Sequence, residues 1–121
     1  AKERKYTSGT SLAEIETVQI HLAKMYNLVN SSVCTAKEAT RSAAAGEEDA
    51  LAKILSARVI ACEMVIEAGR LGMRVGGGKA YNKVGSMERL LRDAYAGQIM
   101  APSADVLTVW LGKAITGLPL V

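Results

Sequence analysis

Few side chains in this 121-residue sequence have the company that chemistry requires. Its one histidine, His21, has no companion ligands at a telling spacing, and a metal site needs three or four converging donors. The sequence therefore predicts no metal centre, and His21 reads as a surface or edge residue of a helix. Cys34 and Cys62 form no CxxC pair and have no histidine or basic cluster beside them. They read as buried thiols of a reducing, cytoplasmic compartment rather than as a disulfide or a nucleophile. The five methionines fit core filling.

The stretch RVGGGKAYNKVG, Arg74 to Gly85, carries more information. Backbone at Gly76, Gly77 and Gly78 can approach an anion closely, and Arg74 and Lys79 flank it with positive charge. The spacing is not the GxGxxG dinucleotide fingerprint, and no strand precedes it. Its plainer reading is a loop that ends a helix. Glu88, Arg89, Arg92 and Asp93 likewise read as a solvated helix face with a Glu88–Arg92 pair.

These residues must be positioned by helices. Ile15, Val18, Leu22, Met25 and Val29, continued by Ser32 and Ala36, recur every three or four residues and predict one long helix over 12–45. Ser11 and Glu14 have capping-box spacing at its start, and Gly46 ends it. A second long helix is expected over 47–73, opened by Glu47, Glu48 and Asp49 and burying Leu51, Ile54, Leu55, Ala61, Met64, Val65 and Ala68. The short connection makes the two an antiparallel hairpin. Shorter helices are expected over 86–96, capped by Ser86, and 103–116, capped by Ser103 and ended by Gly117. A break over 98–102 separates them. Val106, Val109, Trp110 and Ala114 supply the last apolar face. The fold class is an all-α up-down bundle in a single domain, 1–121.

Composition agrees. Half the residues are hydrophobic and only 4% aromatic, with no Phe, so the core is made of Ala, Leu, Ile, Val and Met. A net charge of +3 is too weak a field to imply nucleic acid, and the aromatic stacking surface of RNA binders is missing. No apolar run is long enough for a membrane span, and no secretion leader opens the chain. Two long amphipathic helices with short companions leave apolar faces that want a partner. The opening AKERKYTSGTS reads like the end of a helix whose beginning is absent, so the bundle is expected to be a piece of something larger.

The order Gly77, Gly78, Tyr81, then Glu88, Arg89, Leu90, Arg92, Asp93, Ala94, then a break and a final helix resembles the C-terminal bundle of the FAD-dependent acyl-CoA dehydrogenase family. The opening AKERK is similar to that family's segment around its Arg-Lys-Gln-Phe-Gly motif, and Gln19 with Leu22-Ala23-Lys24-Met25 keeps the register. The resemblance implies a three-domain flavoprotein in which this bundle, here lacking its first helix, assembles subunits into a dimer or tetramer. It implies an acyl-CoA substrate and an electron-transfer flavoprotein as electron acceptor. It places Arg4, Arg74, Gly77, Gly78, Ser103 and Asp105 against FAD, with Arg74 standing where the family often has Gln.

The departures are also informative. Tyr6-Thr7-Ser8 replaces the end of the Arg-Lys-Gln-Phe-Gly motif. Ala101 stands where many members carry the catalytic glutamate, so this chain offers no catalytic residue for taking an α-proton. A flavin monooxygenase of the same fold, or a helical assembly module with no enzymatic role, are the alternative readings.

Overall fold

A computed structural model describes all residues, 1–121. It contains five helices and no strand: α1 (Glu16–Ala45), α2 (Ala50–Gly76), α3 (Gly78–Tyr81), α4 (Met87–Ile99) and α5 (Ala104–Thr116). A 3-10 turn at Leu12–Glu14 precedes α1. None of the helices is long and apolar enough to cross a membrane.

The capping box forms, but on the 3-10 turn. Ser11 N donates to Glu14 Oε1 and Ser11 Oγ accepts from Ala13 N. Ile15 is extended, so the long helix begins at Glu16 rather than at residue 12. Gly46 closes α1 in the left-handed conformation that glycine adopts without a Cβ clash. The chain then turns back as an antiparallel hairpin, which brings Ser42 to Lys53, Ser32 to Met64 and Met25 to Gly72.

That pairing corrects the expected inner faces. The α1 row against α2 runs through Val18, His21, Met25, Leu28, Ser32, Thr35, Ala39 and Ser42, all buried or half-buried. Leu22 and Val29 lie outside it, exposed, as does Ala36. On α2 the buried residues are Leu55, Ala57, Cys62, Ile66, Leu71 and Gly72, whereas Leu51, Ile54 and Val65 are exposed. On α5 the buried anchor is Leu107, and Val106 and Val109 face out. The inner row mixes large residues near the start of α1 with small ones, Ser32, Thr35, Ala39 and Ser42, towards the hairpin tip.

α2 is the central helix, packed against α1, α4 and α5. Glycines set how near α4 comes. A Cβ at Gly69 would lie 3.0 Å from Leu91 Cδ1, and one at Gly97 would lie 3.2 Å from Cys62 Sγ. The buried Cys62 thiol donates to the Gly97 carbonyl at 3.1 Å. α4 starts at Met87 and runs to Ile99, three residues beyond the expected end, and Ser86 makes no capping bond. The following break contains a cis Ala101–Pro102 bond. Ser103 Oγ then accepts from Val106 N, and Gly117 ends α5, as the sequence predicts.

Only 14 residues are buried. Between α1 and α2 runs an open groove of about 230 Å³ lined by Leu28, Val29, Ser32, Val33, Ala61, Met64, Val65 and Ala68. It is the apolar face that the sequence leaves without a companion.

Candidate functional site

The glycine stretch is not the loop its composition suggests. α2 continues through Gly76, and Gly77 N still donates to Met73 O at 2.9 Å. Gly77 alone leaves the helix, at φ 56° and ψ −147°, a region essentially closed to residues with a Cβ. One helical turn follows, α3, with Ala80 buried. A Cβ on Gly76 would collide with the Ala80 methyl, so that glycine is required by packing. The result is a one-residue hinge with Gly77 and Gly78 both exposed.

The N-terminal segment reaches this hinge. Leu12 N donates to Arg4 O, and a short antiparallel bridge joins Lys5 to Ser11, folding the first residues back on themselves. Arg4 Nη1 then donates to Gly76 O at 2.8 Å, capping the C-terminal end of α2, where carbonyls lack partners and the dipole is negative. Arg4 uses no other donor on protein, and it forms no ion pair. Arg74 and Lys79, exposed within three residues of Gly77, make no side-chain hydrogen bond and no ion pair either. Nothing lies within 4 Å of where a Gly78 Cβ would stand.

Three cations without a carboxylate partner thus lie at, or within three residues of, the exposed Gly77. A guanidinium with free donors is the strongest side-chain partner for a phosphate, and an exposed glycine lets the anion come close. The chemistry of this donor set suits a phosphate or pyrophosphate group.

Of the six residues the sequence singles out, the structure brings Arg4 to Gly77 and Gly78, with Arg74 one helical turn before them on α2. Ser103 and Asp105 are elsewhere. Cys62, which meets α4 shortly before the Ser103 break, is about 20 Å along the α2 axis from Gly76. Ser103 Oγ is engaged with its own helix, and Asp105 is exposed in the first turn of α5. Ala101 is exposed in the preceding break and supplies no carboxylate.

Other sequence candidates resolve plainly. His21 is half-buried at the edge of the α1–α2 contact, with a buried Nδ1 that finds no partner. Cys62 is buried as expected, but Cys34 is exposed on α1, because its position lies outside the inner row. No three His, Cys, Asp or Glu residues are placed to hold a metal ion.

Sequence reasoning missed a charge clasp at the hairpin tip. Arg41 forks onto both Glu38 and Glu47, with N–O distances from 2.6 to 3.0 Å. Lys53 reaches Glu47 at 2.9 Å, Asp49 at 3.1 Å and Glu38 at 3.3 Å. Beneath them the wholly buried Ser42 donates to Glu47 Oε2 at 2.7 Å. Hydrogen bonds from Arg41 and then Lys53 hold both glutamates down to about 2, and the same contacts push the Arg41 and Lys53 values up. Glu47 and Asp49, read from sequence as dipole partners of α2, precede it and serve this clasp instead. Its signals were the Glu38–Arg41 spacing and a serine in helical register with Val18 and Ala39.

A protein-family model described as "Acyl-CoA dehydrogenase, C-terminal domain" matches residues 1–116. No curated protein and no solved structure matches the chain significantly.

Proposed function

The chain belongs to the acyl-CoA dehydrogenase family as its C-terminal domain, and on that footing we propose that it serves an FAD-dependent oxidoreductase acting on an acyl-CoA thioester. The family is generally flavin-dependent and oligomeric. The observation that carries the reading is the unpaired cation cluster on the glycine hinge. Arg4 and Arg74 would hold the FAD pyrophosphate, with Gly77 and Gly78 giving it room. When bound, the flavin supplies the hydride acceptor for desaturation at the α,β-carbons.

Arg4's free donors orient the phosphate while Nη1 stays on Gly76 O. Ser103 and Asp105 lie too far from Arg4 to serve the same phosphate, so they act on another part of a cofactor or on another copy. That division fits a dimer or tetramer, whose contacts the exposed α1–α2 groove would provide. The α-proton must go to a carboxylate outside this chain, because Ala101 cannot accept it. An electron-transfer flavoprotein would be the electron acceptor of such an enzyme.

Anaerobic flavin bleaching by a panel of acyl-CoA thioesters tests the reading in the parent flavoprotein. Bleaching is expected. Ala101 favours one second reading, a monooxygenase of the same fold, which would show no bleaching with any thioester and would consume oxygen with reduced flavin.

A further inference from the structure

We draw no further inference here: the strongest candidate, the open apolar groove between α1 and α2 lined by Leu28, Val29, Val33, Met64 and Val65, belongs to the assembly role already proposed, and nothing in the structure shows what covers it.

Discussion

The two ends of α2 treat charge in opposite ways. At its start, Glu38, Arg41, Glu47, Asp49 and Lys53 satisfy one another around a wholly buried serine. At its finish, Arg4 reaches the exposed glycine hinge, and Arg4, Arg74 and Lys79 have no carboxylate partner there. A satisfied cluster fixes structure, because its members have no capacity left for a ligand. An unsatisfied cluster of one sign weakens the fold slightly by self-repulsion and attracts counter-charge. The difference suits the first end to holding the hairpin and the second to the binding role proposed above.

Substitutions at the two ends should separate those roles. Ser42→Leu should cost about 2–4 kcal/mol, because it overpacks a closed site and strips Glu47 of a donor. Thermal or urea unfolding measures it, and a loss below about 1 kcal/mol would show that the clasp is decorative. Gly77→Ala should cost less, about 1–3 kcal/mol, from forcing a Cβ into a glycine-only conformation. Its effect should be local, with amide exchange rising around Arg74–Tyr81 while the hairpin tip is unchanged.

Acid should act on the first end alone. Glu38 and Glu47 titrate near 2 when folded against an ordinary 4.5. A lowered carboxylate value contributes stability above about 4.5, and that stability is lost as pH falls through 2. The melting temperature should therefore decline between about pH 4.5 and 2, by a few degrees at most because these pairs are partly exposed and screened. A Glu38→Gln, Glu47→Gln variant should be less stable at pH 7 and should decline less over that window. Equal slopes in the two proteins would contradict the clasp's pairing. The smallest effect belongs to Arg74→Gln, whose side chain has no partner to lose: stability should stay within about 0.5 kcal/mol.

This contrast was only half legible in the sequence. Local chemistry could be read: the Ser11–Glu14 box, the glycine stops at Gly46 and Gly117 and the Ser103 cap all form. Each depends on two to four neighbouring residues. The faces of the long helices were harder, because α1 carries apolar side chains on more than one side. Leu22 and Val29 looked like core, whereas His21 and Ser42 occupy the contact beside the expected Val18, Met25 and Ser32. Apolar residues stand on several sides of α1, so the hydrophobicity pattern alone does not say which side meets α2. The glycine run misled similarly: composition argued for a loop, but two of the three glycines sit in helical turns and only Gly77 breaks them. Arg4 joined Gly77 in the sequence reading through family resemblance. Its bond to Gly76 spans 72 residues and was visible only once the chain was folded.

The central claim is that the unpaired end of α2 holds the phosphates of FAD. The most direct measurement is the FAD dissociation constant of the flavoprotein proposed above, wild type against an Arg4→Ala, Arg74→Ala variant. Charge-assisted bonds to phosphate are the strong ones, so the variant should bind FAD at least about tenfold more weakly. Its stability without cofactor should fall by no more than about 1 kcal/mol, from loss of the exposed Arg4–Gly76 bond. An unchanged dissociation constant in a properly folded, correctly assembled variant would contradict the account.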